Sequence, residues 1–162
     1  MTMKEVVIKN LKVRKLFFIP IIFILLSSYI IAALSSEVEV HYIYKVLPVF
    51  VIYVNDLNGD RIGIPKGPVV LICKNNRDSK IVLTHELIHA KQCYRYIFYY
   101  WIPMLFSDNM LTKMEAEAYA SQITSEEQIP LWATFIKDEY KSSLTEKEIE
   151  YYIAYYWKKQ QG

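Results

Sequence analysis

Thr84-His85-Glu86-Leu87-Ile88-His89 is the stretch that decides how this chain folds. It has the form H-E-x-x-H and holds two of the three histidines in a chain of 162 residues. Residues four apart on an α-helix lie one turn above each other, so His85 and His89 can direct ring nitrogens to one cation. Glu86 lies beside that face, where its carboxylate can reach a water on the ion without being a ligand. Two imidazoles with an adjacent carboxylate are the core of a zinc hydrolase site.

The residues around this motif favour a helix that follows a buried strand. Residues 69–73, Val-Val-Leu-Ile-Cys, are apolar and β-branched and predict a short strand. A polar turn comes next, in which Asp78 or Ser79 can cap a helix. From Lys80 onward apolar residues recur at helical spacing, and no glycine or proline interrupts before Pro103. The motif is therefore expected on a helix.

A catalytic zinc needs a third protein ligand and an open position. The chain does not continue the motif toward a third downstream histidine, and His41 lies far upstream. Residues 114–120, Met-Glu-Ala-Glu-Ala-Tyr-Ala, predict an alanine-rich helix that can pack closely against the first. Glu115 and Glu117 are about 200° apart on such a helix, so only one of them can face the metal.

A structural Cys/His₂ site is a different hypothesis for the same helix. Cys93 follows His89 by four residues and lies on the same helical face. This hypothesis leaves Glu86 without a role. Cys73 and Cys93 can also form a disulfide in an oxidising compartment, and the alternative is that both are buried and inert.

Together the two motifs resemble the gluzincin class of zinc metallopeptidases, in which H-E-x-x-H is followed by E-x-E-A-(D/N/Y). They are especially similar to small bacterial membrane-associated metallopeptidase-like proteins with an H-E-x-x-H-x-x-Q helix and a later F-E-x-E-A-Y helix. The resemblance spans roughly residues 45–120, and its matching positions are His85, Glu86, His89, Gln92, Glu115, Glu117, Ala118 and Tyr119.

The resemblance implies specific roles for residues of this chain. Glu115 is the metal ligand in the second motif, and the strand at 69–73 is the sheet edge along which an extended peptide substrate lies. Two positions depart from the pattern. Lys91 stands where zincins commonly have an apolar residue, and Tyr119 stands where many gluzincins have an aspartate that orients a ligand histidine.

Residues 16–34 form an uncharged apolar run that predicts a transmembrane anchor. As a helix the run extends about 28 Å, close to the hydrocarbon thickness of a bilayer, about 30 Å. It lacks the polar face of a core helix. A cleavable signal peptide is the first alternative, and the sequence at 32–36 fits it poorly. A helix buried in an apolar hairpin is the second.

Charge predicts the orientation of this anchor. Residues 1–15 carry five basic side chains against one acidic side chain, whereas the whole chain has a net charge of +2. By the positive-inside rule the N-terminus is cytoplasmic and the remaining chain extracytoplasmic.

The aromatic segment 94–106 is too short to span a bilayer and predicts either an interfacial surface or core packing. The part of the chain after the anchor has no basic patch with interleaved aromatic residues, so nucleic-acid binding is not predicted.

The remaining residues, 37–162, predict a small α+β domain with a short antiparallel sheet, an active-site helix and C-terminal helices. A strand is expected at 46–54, followed by a hairpin turn at Asn58-Gly59. The acidic spacing in this turn lacks the calcium-loop form. Thr145 and Glu148 predict a capping box at the start of the last helix.

The expected protein is a membrane-anchored, zinc-dependent peptidase that acts on a peptide or protein substrate. Residues 1–15 form its basic segment, 16–34 its anchor and 37–162 its zincin-like domain. His85, His89 and Glu115 hold Zn²⁺, and Glu86 is the general base. Tyr119, Arg95 and His41 are alternatives for stabilising the oxyanion. The other hypotheses are a catalytically inactive zincin-like binding module and a membrane structural protein in which the motif is coincidental.

Overall fold

The computed structural model describes residues 37–57, 61–96 and 108–162. The basic segment at 1–15, the expected anchor at 16–34, the Asn58-Gly59 turn and most of the aromatic segment lie outside these residues. Within the described ranges, no helix has both the length and the hydropathy needed to cross a bilayer. The described residues form an α+β structure in which four strands precede four helices.

The four strands form one mixed sheet. They are β1 (Val38–Ile43), β2 (Leu47–Val54), β3 (Gly63–Lys66) and β4 (Val69–Cys73), in the spatial order β1-β2-β4-β3. β1 pairs with β2 and β3 with β4 in antiparallel fashion, but β2 and β4 run parallel. The strands expected at 46–54 and 69–73 are confirmed, whereas the expectation of an antiparallel sheet is wrong.

The mixed topology changes the roles expected for two segments. β2 and β3 do not pair with each other, because β4 lies between them in the sheet, and the Asn58-Gly59 turn expected between these strands is outside the described residues. A tight turn lies between β3 and β4, where Gly67 has a φ of 69°. The expectation that β4 is the sheet edge is also wrong. β4 lies between two strands, which suits its apolar sequence, while β3 is the edge and contains Pro65.

The four helices are α1 (Lys80–Tyr96), α2 (Asp108–Ala120), α3 (Ile129–Glu139) and α4 (Glu146–Gln161). The predicted helices at the two motifs are therefore confirmed. Ser79 begins α1, since its side-chain oxygen accepts from the Val82 amide and its carbonyl from the Leu83 amide. The capping box at the start of α4 is confirmed by reciprocal hydrogen bonds between Thr145 and Glu148.

Two apolar cores stabilise the described structure. The sheet–α1 core lies between the sheet and α1, and its buried members are Ile43, Val49, Val51, Tyr53, Val70, Ile72, Val82 and Ala90. The helical core lies among the other helices, and its buried members are Ala116, Ala120, Ile123, Ile129, Ala133, Ile136, Leu144, Ile149 and Ile153. α1 therefore belongs to one core and α2 to the other, and the faces on which these two helices meet carry both sequence motifs.

Candidate metal centre

The two motif histidines converge on one point of α1. Their Nε2 atoms lie 3.1 Å apart. Both side chains are buried. The strand, turn and cap that precede α1 set the direction of the helix, and the four-residue spacing places both rings on the face toward α2. The two ring nitrogens thus lie close together on one face of the helix, as the four-residue spacing predicts.

Glu115 on α2 completes a three-residue cluster. Its Oε2 lies 3.6 Å from His85 Nε2, and its Oε1 lies 3.5 Å from His89 Nε2. Ligand atoms around a tetrahedral zinc with ordinary bond lengths are separated by about 3.3–3.6 Å. Glu115 Oε2 is buried without a hydrogen-bond partner among the described residues. The donor types, the two distances to the Glu115 oxygens and the unpartnered oxygen fit a zinc ion, and the 3.1 Å between the histidine nitrogens is slightly shorter than this range.

His89 is oriented by an amide on its own helix. Its Nδ1 lies 2.9 Å from Gln92 Oε1, an oxygen that can only accept, so Nδ1 carries the proton and the Nε2 lone pair faces the cluster. The orientation of the Gln92 amide is set in turn, because its Nε2 donates to the Met114 carbonyl at 2.8 Å and to Glu117 Oε2 at 3.0 Å. Gln92 is fully buried.

Glu117 supports the cluster from outside it. Its Oε2 accepts hydrogen bonds from Gln92 and, at 2.9 Å, from Arg95 Nη1. The two glutamates thus point in different directions from the helix: Glu115 faces the histidines, and Glu117 faces the glutamine and the arginine. Arg95 is engaged in this ion pair, and it does not line either cavity at the cluster.

Two side chains hold the other histidine. The Gln122 amide nitrogen lies 2.9 Å from His85 Nδ1, and the same amide turned by 180° would present its oxygen to an Nδ1 proton. The Tyr119 ring packs against the imidazole edge-on, with ring centroids 4.6 Å apart. Tyr119 therefore restrains His85 by ring packing. Gln122 lies in the turn after α2, and nothing in the sequence motif marks it.

The protonation of the cluster follows from burial and mutual contacts. Burial lowers the pKa of His85 to about 4, and the neighbouring His89 adds to this effect. Burial also disfavours the charged form of His89, but the Glu115 carboxylate outweighs it and raises the pKa. For Glu115 the two imidazoles outweigh burial, and the pKa is lowered. A divalent cation among these groups would further favour the proton-free forms.

Glu86 projects beside the cluster and keeps a free oxygen. Its Oε2 is buried with no hydrogen-bond partner in the described part of the chain. Burial raises the pKa of Glu86 to about 7. Gly63 of the edge strand packs directly on this side chain: a methyl group added there would lie 2.7 Å from Glu86 Cδ and 2.8 Å from Cγ. Any larger residue at this position would therefore require the Glu86 side chain to shift.

Two cavities open onto these residues. The smaller, about 290 Å³, is lined by the three cluster residues together with Glu86 and Tyr140. The larger, about 690 Å³, extends from His85 and Glu86 over α3. Burial and the nearby Glu115 carboxylate raise the pKa of Tyr140, so its hydroxyl keeps its proton and can donate. Tyr140 follows α3 and belongs to neither sequence motif.

The remaining candidates lie away from the cluster. His41 is in β1, at the sheet edge opposite β3, and its Nε2 lies 3.6 Å from Glu39 Oε2. Cys93 is buried but is not part of the three-residue cluster. Cys73 and Cys93 are both free thiols, so the disulfide alternative is wrong.

Comparisons with protein-family models, with curated proteins and with solved structures return no match to this chain. What the cluster does must therefore be inferred from its own chemistry.

Proposed function

We propose that this protein is a membrane-anchored, zinc-dependent peptidase of the zincin type. The observation that carries the proposal is the convergence of His85, His89 and Glu115 beside an unpartnered Glu86 carboxylate in an open cavity. A site that only stabilised the fold would surround the metal with protein ligands. Here three ligands and a cavity leave a position for water and substrate, as a catalytic site requires.

The roles of the protein groups follow from their positions. When bound, zinc supplies a Lewis acid that polarises the scissile carbonyl and acidifies a water molecule. Glu86 accepts the proton of the attacking water and passes it to the leaving amine. Tyr140 lines the same cavity, and its protonated hydroxyl donates to the oxygen that becomes negative during attack. Gln92 and Gln122 hold the two imidazoles in place from the side remote from the cluster.

The edge strand β3 offers a backbone on which a peptide can lie next to Glu86. The Cys73 amide donates to the Ile62 carbonyl, so by alternation the backbone of 62, 64 and 66 faces β4. Gly63 and Pro65 therefore face outward, and they offer one amide donor and two carbonyl acceptors to an added strand. Both residues line the smaller cavity.

The membrane anchor is proposed from the sequence. The uncharged run at 16–34 has the length of a bilayer crossing, and the basic segment before it favours a cytoplasmic N-terminus. A reporter enzyme fused after Gly162 tests the orientation. We expect it to be active only when the reporter works outside the cytoplasm, and cytoplasmic activity would contradict the proposed topology.

Metal analysis tests the centre itself. We expect the purified full chain to hold about one zinc ion per molecule after loading and desalting. His85→Ala and Glu115→Ala should each lose most of this zinc, because removing one of three ligands leaves too few donors. His41→Ala is the matched control, since it removes the remaining histidine away from the cluster. Equal zinc content in all four proteins would refute the centre.

A further inference from the structure

The larger cavity has an aromatic surface that extends from the metal centre over α3. Three aromatic rings form it: Tyr119 and Trp132 are stacked with centroids 4.8 Å apart, and Phe135 meets them edge-on at 5.5 and 5.7 Å. All three line the cavity. Offset and edge-on contacts among three rings make a rigid apolar surface.

Aliphatic side chains around these rings are exposed to water. Leu131 is 70% exposed and Ile81 is 60% exposed, and both line the cavity, as does Phe135 at 42%. Scattered exposed apolar residues are ordinary, but these share one concave surface. Arg61, Glu86 and Glu139 also line this cavity, so its otherwise mainly uncharged lining has two acidic side chains and one basic side chain.

The aromatic cavity is continuous with the metal centre. Gly63, His85, Glu86 and Tyr140 line both the small and the large cavity. A peptide whose scissile carbonyl lies between Glu86 and Tyr140 can therefore direct a side chain next to that bond into the cavity over α3. At about 690 Å³ the cavity falls within the usual range for small-ligand sites, about 300–1,000 Å³.

We propose that this cavity is the specificity pocket of the enzyme and that its substrates carry a large aromatic or aliphatic side chain next to the cleaved bond. The inference rests on the proposed peptidase function. A charged side chain that lies on the three rings and two aliphatic residues would lose hydration there, although Arg61 and Glu139 are charged groups elsewhere in the lining. A small side chain would leave the apolar surface uncovered.

Matched peptides test the preference. A set of peptides identical except at one residue next to the cleaved bond, bearing Phe, Leu, Ala, Asp or Lys, is incubated with the zinc-loaded full chain in detergent. We expect kcat/KM for Phe or Leu to exceed that for Ala by at least about tenfold, as apolar pockets discriminate. Asp and Lys should be cleaved more slowly than Phe or Leu. Equal rates for all five peptides would overturn the inference and leave the peptidase function standing.

Two variants connect the preference to the pocket. Trp132→Ala should reduce the Phe-to-Ala ratio toward one while zinc content is retained. Leu131→Lys changes a residue that is 70% exposed, which keeps the fold intact, and should improve the relative cleavage of the Asp peptide. Tyr151→Ala is the control, because it removes an aromatic ring that is 66% exposed and outside the cavity.

The outcomes separate the two proposals. An unchanged preference in both pocket variants would overturn the assignment of the pocket. Absence of any peptide cleavage by the zinc-loaded wild type would instead contradict the proposed function, and the pocket assignment with it.

Discussion

The two apolar cores resemble each other in composition, but the layer in which they meet differs from both. The sheet–α1 core and the helical core each consist mainly of aliphatic side chains with little exposure. Between them, on the facing sides of α1 and α2, are buried polar and charged side chains, namely His85, Glu86, His89, Gln92, Glu115 and Glu117. The cores stabilise the fold, and the junction between them carries the chemistry.

Burying charged groups is unfavourable unless they are paired. Within the junction Glu117 meets this condition through Arg95 and Gln92, whereas Glu86 and Glu115 each keep an unpartnered oxygen. Within the junction the unpartnered atoms thus belong to residues that face the cavity, and the other such atom among the described residues, His41 Nε2, lies in β1.

Glu86→Gln changes the junction at the proposed general base. We expect peptide hydrolysis to fall by about 10²–10⁴-fold, because the amide cannot accept the proton, while zinc content and thermal stability are retained. The measurements are kcat/KM and metal content on the same samples. Glu127→Gln, at an exposed glutamate, is the control. Hydrolysis that survives in Glu86→Gln would exclude this residue as the base.

Ile153→Ala changes the helical core and leaves the junction intact. Ile153 is fully buried, so the loss of three carbon atoms should lower the free energy of unfolding by about 2–5 kcal/mol. Zinc content per folded molecule should not change. Chemical denaturation combined with metal analysis checks both statements. A parallel loss of zinc from the folded fraction would show that the core and the junction are not separable.

Gly63→Ala tests how closely the edge strand fits the junction. The added methyl group would overlap Glu86 and displace its carboxylate. A displacement of about 1 Å at a catalytic group can reduce the rate by about 10²-fold. We expect kcat to fall while zinc content is unchanged, because the three ligands are not touched. Wild-type kcat in this variant would mean that Glu86 has room to move without consequence.

Gln92→Leu tests the support of His89. The substitution keeps an apolar side chain of similar size but removes the acceptor for the Nδ1 proton, so zinc affinity should weaken by about 10–100-fold. Competition with a fluorescent chelator measures the change. Leu87→Ala, which alters the same helix without touching this hydrogen bond, provides the comparison. Equal affinities in wild type and Gln92→Leu would indicate that the imidazole is held by packing alone.

Local patterns in the sequence predicted most of the individual elements. The β2 and β4 strands, the α1 helix and the α4 cap follow from neighbouring residues alone, and the structure confirms them. The separation of 115 and 117 around a helix showed that only one could face the histidines, and the structure shows which one does. The zinc, the peptidase activity and the membrane anchor stay predictions.

Local sequence patterns do not predict which distant segments come into contact. An apolar strand such as β4 has the same sequence character at an edge or between two neighbours, so strand order could not be deduced. β1, Gln122 and Tyr140 belong to no recognisable motif, and the last two approach the site only because α2 and α3 end where they do. The motif alone does not distinguish Glu117 from a metal ligand, because its contacts with Gln92 and Arg95 depend on how the two helices pack.

One feature of the edge strand bears on how copies of the protein behave in solution. Pro65 occupies an outward-facing position of β3, so two outward positions supply a single amide hydrogen. An edge strand with a full row of unpaired amide donors can pair with the edge strand of another molecule, and a proline in the edge strand disfavours this pairing. Pro65 thus leaves the edge strand able to hold an extended substrate for a short time, and it also disfavours aggregation of the protein through the strand next to the cavity.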